Sequence, residues 1–244
     1  MTTRDYNLEY QDTDARKYAY TFDSIHRRYM IRTFAPFLGQ GRALELGSYK
    51  GEFTRLLLPF YNDLTVIEAS SDLVDEARMS VGGNVRFIHS TFEAAELPET
   101  FDAIFLIHTL EHLDDPVRVL RKIGAWLSDA GRLFLVVPNA NAPSRQIAVN
   151  MGLIPHVTAV TEGEALHGHR KTYTLDTLER DARDSGLRVQ QRGGIFFKPL
   201  ANFQFNALIG GPLIGDRFLD ACYELGLERP TECASIYVVA GAQP

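Results

Sequence analysis

Arg42–Ala43–Leu44–Glu45–Leu46–Gly47–Ser48–Tyr49–Lys50–Gly51–Glu52–Phe53 reads as a short apolar strand, a glycine loop and the start of a helix. The strand runs from Arg42 to Leu46. Gly47 permits a tight turn that a Cβ would obstruct, and Gly51 lets the following helix approach closely. Free backbone N–H groups at a helix start receive acidic or polar ligands. Glu45, two residues before the first glycine, carries the most information. A carboxylate leaving the end of a buried strand needs a partner. A ligand ammonium can be that partner and a phosphate cannot, which favours an amino-acid-bearing ligand over a dinucleotide. Gly47 and Gly51 alone are equally consistent with a strand–turn–helix corner that binds nothing.

Tyr61–Asn62–Asp63–Leu64–Thr65–Val66–Ile67–Glu68 is a second short strand with an acid at its end, 23 residues after Glu45. In a βαβ unit the two strand ends lie side by side, which places Glu68 to accept hydrogen bonds from ribose hydroxyls. A solvated acid at a strand end is the plain alternative. Later in the chain, Phe101–Ile107 is nearly all apolar, as a strand buried on both faces would be. It is followed by His108–Thr109–Leu110–Glu111–His112–Leu113, and then by Asp115–Pro116 opening a helix.

In Glu45, Gly47, Gly51 and Glu68, and in the Leu110–Glu111–His112 run with Asp115–Pro116, the sequence resembles the class I S-adenosylmethionine methyltransferases, in particular the small-molecule enzymes of the ubiquinone pathway. Tyr49 stands where that family's middle glycine usually is. The resemblance runs from about Arg42 to the C-terminus. It implies an α/β fold: a Rossmann-like seven-stranded sheet, mostly parallel with the last strand antiparallel, helices on both faces, and an N-terminal helical cap. It also implies S-adenosylmethionine as cofactor and S-adenosylhomocysteine as product. Glu45, Gly47, Ser48, Gly51, Glu68 and Ala69 would surround the methionine and ribose parts. Thr91 and Phe92, just after the third strand, would hold the adenine, and His108 would stand where the methyl lies.

The chain of 244 residues is long enough to bury a real core. We expect one methyltransferase domain over 1–244: a cap at 1–38, a cofactor-binding core at 39–140, a lid or insertion at 141–173, and at 174–244 the rest of the sheet with a substrate cover. A net charge of −6 argues against a dedicated nucleic-acid binder. Two cysteines, Cys222 and Cys233, have no metal-ligand spacing and suit a reducing cytoplasm. The N-terminus lacks the apolar run of a signal peptide, and no stretch approaches the roughly 20 apolar residues of a membrane span.

Helical spacing from Asp14 to Leu38 involves Ala19, Phe22, Ile25, Tyr29, Ile31 and Phe34, and residues 1–12 read as a loose arm. Helices before the first strand cap the active site in the family, which makes Tyr18, Tyr20, His26 and Arg27 candidate acceptor contacts; a mixed solvated face is the plain alternative. Ser71 is expected to cap a helix through Met79. Val117, Leu120, Ile123 and Leu127 are expected on one helix face, ended by Gly131. Leu200–Leu227 reads as a second substrate cover or the surface of a homodimer.

Methyl transfer from a sulfonium needs an acceptor held in line and, for a hydroxyl, a base. Ligands bind beyond the carboxyl ends of parallel strands, so His108 is the favoured base, with His169 and His112 as the other candidates. Asn139, His167, Arg170 and Tyr173, with Tyr18 and Arg27, are the expected acceptor contacts. His167 and His169 near Glu162 and Glu164 have the residue types of a metal cluster, but a His–x–His pair is a weak signal and no metal is expected. The expected function is methylation of an O or N atom of a small polar metabolite, a sugar derivative being favoured. Two alternatives compete. A nicotinamide-dependent oxidoreductase would want Gly–x–Gly–x–x–Gly and leave Glu45 without a job. A non-catalytic S-adenosylmethionine-binding module could dispense with the rim histidines.

Overall fold

The computed structural model describes residues 4–12 and 17–243. Seven strands form one sheet: β1 (Arg42–Leu46), β2 (Asp63–Glu68), β3 (Val85–His89), β4 (Phe101–Ile107), β5 (Leu127–Pro138), β6 (Arg188–Phe197) and β7 (Cys233–Gly241). Their order is β3-β2-β1-β4-β5-β7-β6. All pairings from β3 through β5 are parallel, and β7 runs antiparallel to both β5 and β6. The helices are α1 (Tyr6–Glu9), α2 (Thr21–Phe34), α3 (Glu52–Leu57), α4 (Ser71–Val81), α5 (Pro116–Gly124), α6 (Pro143–Asn150), α7 (Glu162–Leu166), α8 (Leu175–Asp184), α9 (Asn202–Leu208) and α10 (Asp216–Glu228).

Strand alternation sorts the core into two layers. Leu44, Leu46, Ile104, Leu106, Leu133 and Leu135 face α5 and α8, which contribute Val119, Leu120, Ile123, Leu175, Leu178 and Ala182. Ala43, Val66, Phe105, Phe134 and Val136 face the other way, against Phe22, Met30 and Phe34 of α2, Phe53 and Leu57 of α3, and Leu219 and Tyr223 of α10. Glu45 shares the parity of Ala43, so it enters this second layer. The ring of Phe105 stacks on Phe134 at 4.7 Å with an interplanar angle of 9° and meets Phe53 and Tyr61 at its edges.

Several local expectations shift. α2 starts at Thr21; the expected start, Asp14, lies outside the described residues. The N-terminal arm is held rather than loose: Arg4 pairs with Glu9 at 2.6 Å and donates to the His112 carbonyl at 2.8 Å. Ser70, not Ser71, caps α4, its hydroxyl accepting from Leu73 N. α5 ends at Gly124, and Leu127 already belongs to β5. Helical periodicity cannot separate a last helical turn from an apolar strand start three residues on. The Leu200–Leu227 stretch divides: α9 borders the site described below, while α10 packs on the sheet through Leu219, Cys222 and Tyr223. Among the described residues no helix is long and apolar enough to cross a membrane.

Phe105→Ala removes a fully buried ring at the centre of the second layer, and large-to-small aromatic truncations cost about 3–5 kcal/mol. Denaturant unfolding should show that loss with an unchanged slope. A loss under 1 kcal/mol would mean that the Phe105–Phe134 stack is not central to the core.

Candidate functional site

The carboxyl ends of β1, β2 and β4 meet at one rim, and a cavity of about 610 Å³ opens there. β1 brings Glu45 to it. Glu45 is 1% exposed, and neither carboxylate oxygen has a hydrogen-bond partner among the described residues. Burial pushes its pKa up to about 8; Thr54 and the Arg27 guanidinium oppose that shift, while Glu68 adds to it. Thr54 Oγ1 is itself without a hydrogen bond of good geometry, so its influence is dipolar. Gly47 donates its N–H to Ile67 O at 2.9 Å and adopts φ 81°; a Cβ there would lie 2.6 Å from Thr109 Oγ1. Gly51 (φ 75°) lets α3 lie against α4, where a Cβ would sit 2.2 Å from Val81 Cγ2. Tyr49, at the family's glycine position, has φ 50°, a left-handed conformation costly for a side-chain-bearing residue.

Glu68 is busier than its expected role requires. Its Oε2 accepts from Ser48 N (2.9 Å) and Tyr49 N (3.2 Å), and its Oε1 from Ala69 N (2.8 Å) and Ser70 N (3.0 Å). Burial raises its pKa and these four N–H groups oppose the rise. A carboxylate offers about four lone-pair sites, so Glu68 here clamps the glycine loop to the start of α4. A ribose would have to share or exchange these contacts.

Glu45, Gly47, Ser48, Glu68, Ala69, Phe92, His108, His112, Tyr18, Arg27, Asn139, His167 and His169 all border the cavity; Gly51, Thr91, Arg170 and Tyr173 do not. Thr91 Oγ1 accepts from Ala94 N and caps the turn after β3, which leaves Phe92 as the cavity side of the expected adenine site. Three of the expected acceptor contacts have their polar groups engaged by other residues of the chain. Tyr173 is 0% exposed, with its hydroxyl on Asp181 at 3.2 Å. Arg170 points outward to Asp114. Asn139 is buried with its amide N donating to the Thr231 and Cys233 carbonyls and its Oδ1 accepting from Asn141 N. Asn139 and Tyr173 brace the end of β5. Arg27 is held by Glu52 at 2.5 Å, and Tyr18 packs on Tyr49 and His167. His167 Nδ1 donates to Glu9 O.

His108 has φ 50°, which turns its ring away from the path of β4. Its Nε2 lies 2.7 Å from Ser235 Oγ, and its ring centre 6.0 Å from that of His26. Burial, then His26 and Arg27, hold its pKa well below the ordinary histidine value, so the ring is neutral at pH 7. His26 is also neutral, pushed down to about 3 by burial, with Nε2–H donating to Ile195 O. His112 and His169 meet edge to face with ring centres 4.6 Å apart. Ser235 went unnoticed in the sequence. An antiparallel last strand begins at the rim where parallel strands end, so the opening residues of β7 were the signal.

Glu45 also fixes a pH dependence. Unfolded, it ionises near 4.5; folded, near 8. The raised folded pKa therefore contributes stability that is complete below about pH 4.5 and lost as pH rises through about 8. Relative to wild type, Glu45→Gln should gain stability steadily from pH 5 to 8, by at most about 1.4 kcal/mol per pH unit. Urea melts at each pH check this; a difference that does not vary with pH would place the Glu45 pKa near its ordinary value.

The family model described as a methyltransferase domain matches residues 16–192. The ubiquinone biosynthesis O-methyltransferase of Aeromonas salmonicida (strain A449) is 27% identical over 166 residues, covering 66% of this chain and 68% of that protein. An S-adenosylmethionine-dependent methyltransferase from Mesorhizobium loti superposes with a TM-score of 0.62 at 17% identity, covering 89% of this chain and 98% of that one. The N-methyltransferase NodS from Bradyrhizobium japonicum WM9, in complex with S-adenosyl-L-homocysteine, superposes with a TM-score of 0.61 at 13% identity, covering 98% and 96%. With the strand order and two acid-ended strands beside a glycine loop, the match over most of its length makes this chain a member of the class I S-adenosylmethionine-dependent methyltransferases.

Proposed function

We propose that the protein transfers a methyl group from S-adenosylmethionine to a hydroxyl or amine of a small acceptor, with His108 as the base. The observation that carries this reading is Glu45. Its two buried oxygens, without a hydrogen-bond partner among the described residues, suit the ammonium of an amino-acid-bearing cofactor and have no use for a dinucleotide. Glu45 would take the ammonium, the Gly47–Ser48 backbone and Glu68 the region beside it, and Phe92 one face of the adenine. A cavity of about 610 Å³ has room for such a cofactor and a small second molecule. The chemistry supplied on binding is an electrophilic methyl on a sulfonium.

The acceptor end of the cavity is bordered by His108, His26, Phe22, Asn202 and Lys198. A neutral His108 can receive the proton of an acceptor hydroxyl as the methyl arrives. In the tautomer whose Nε2–H donates to Ser235 Oγ, Nδ1 is the proton-accepting atom. Lys198 and Asn202 are polar groups on which a sugar derivative could be oriented. A phenolic acceptor is the second reading, favoured by the Phe22 and Phe203 rings at the same end and by the O-methyltransferases among the relatives.

The pure protein, incubated with S-adenosylmethionine and pools of sugar derivatives, amines and phenols, should add one methyl mass to a member of a pool. Methylation of DNA or RNA, with none of any pool, would contradict the reading. With that acceptor, His108→Ala should lower kcat by about 10²–10⁴ while cofactor affinity stays within twofold. Near wild-type kcat on a hydroxyl acceptor would remove His108 from the role of base.

A further inference from the structure

A cluster of three ligating side chains stands at the cavity wall, outside the roles above. Glu111 and His112 belong to the 3-10 turn that follows β4, and His169 to the segment after α7. One carboxylate oxygen and one ring nitrogen from each histidine lie within 4.8 Å of one another, and all three residues border the cavity. Glu111 is 2% exposed, and its Oε2 has no hydrogen-bond partner among the described residues. A buried carboxylate oxygen left unpaired needs a cation or a donor. Among the described residues, neither nearby guanidinium serves as one: Arg4 is paired with Glu9, and Arg170 with Asp114.

The two segments are already tied together. Arg170 N donates to Glu111 O at 2.8 Å, Lys171 N to the same oxygen at 3.3 Å, and Arg4 holds the His112 carbonyl. Donors around a transition cation with bonds of about 2.1 Å sit roughly 3 Å apart. A bound cation would draw the three donor atoms together from 4.8 Å or less, on two segments already joined by those hydrogen bonds.

We propose that Glu111, His112 and His169 bind one divalent transition cation whose remaining coordination positions face the cavity. Two imidazoles and a carboxylate suit zinc, iron, manganese, cobalt or nickel, and suit magnesium poorly, since magnesium prefers all-oxygen sets. The site is not the His167–His169–Glu162–Glu164 grouping that the sequence suggested. His167 donates Nδ1 to Glu9 O, and Glu164 is paired with Arg145 at 2.7 Å. It also departs from the expectation of no metal. On the reading of the protein as a methyltransferase, the open positions would take oxygens of the acceptor and ease loss of the hydroxyl proton.

The test begins without acceptor or cofactor. Chelator-treated protein is dialysed against Zn²⁺, Mn²⁺ or Mg²⁺ and its metal content measured. One equivalent of Zn²⁺ or Mn²⁺ per chain is expected, with Mg²⁺ bound at least ~100-fold more weakly. Glu111→Gln and His169→Ala should each weaken Zn²⁺ binding by at least ~100-fold, because losing even an outer-shell partner costs 10–100-fold. Circular dichroism melts keep folding in view, and if Glu111→Gln fails to fold, His169→Ala decides. S-adenosylhomocysteine affinity of the metal-free protein should be unchanged in both variants, so loss of the metal site and failure of the methyltransferase reading give different results. Absence of stoichiometric binding, or binding that the foldable variant leaves intact, overturns the proposal.

Discussion

The Glu45 carboxylate, buried with no hydrogen-bond partner among the described residues, is the constraint on which the rest of the site depends. Strand alternation alone directs it into the layer shared by α2 and α3, where Phe53 and Phe105 exclude water. An isolated carboxylate there costs too much to ionise, and it holds its proton up to about pH 8. Supplying a cation reverses that balance. The neighbouring devices keep the space for one: Gly47 turns the chain where a Cβ would strike Thr109, Gly51 brings α3 close to α4, and four backbone N–H groups on Glu68 hold the loop between them. A site so braced keeps the two Glu45 oxygens, unpaired among the described residues, at its base.

Backbone strain is spent on the same rim. Tyr49 and His108 both carry positive φ without being glycine, and such residues persist only where their surroundings hold them. Tyr49 is held by Glu68 at its N–H and by the Tyr10 and Tyr18 rings. His108 is held by its N–H on Val136 O and its ring on Ser235. The strained conformation carries the His108 ring to the start of β7 instead of along β4. Its depressed pKa keeps it neutral and able to accept a proton, at the cost of basicity. A metal at Glu111, His112 and His169 would relieve that shortfall by acidifying the acceptor.

The sheet was legible because its signals are local. Apolar runs of strand length, acids at two strand ends and a Pro-started helix each follow from a few adjacent residues. So did Glu45, whose parity and position are set by β1 alone. The roles of single polar residues at the rim were not legible, because whether a side chain is free depends on partners far along the chain. Tyr173 looked available until Asp181 took its hydroxyl, and Asn139 until the Thr231 and Cys233 carbonyls took its amide. Ser235 reaches His108 across 127 positions, and His169 reaches His112 only because the segment after α7 folds back onto the turn after β4. No periodicity encodes those meetings.

The most direct measurement is proton release on cofactor binding, by calorimetry at pH 6 in buffers of different ionisation enthalpy. At that pH Glu45 carries its proton and the cofactor amine carries its own. Capture of the ammonium by Glu45 must therefore expel close to one proton. The account predicts that release with S-adenosylmethionine and with S-adenosylhomocysteine, its disappearance in Glu45→Gln with a large loss of affinity, and no comparable binding of NAD or NADP. Binding without proton release and with affinity unchanged in Glu45→Gln, or tight binding of a nicotinamide dinucleotide in place of S-adenosylmethionine, would contradict it.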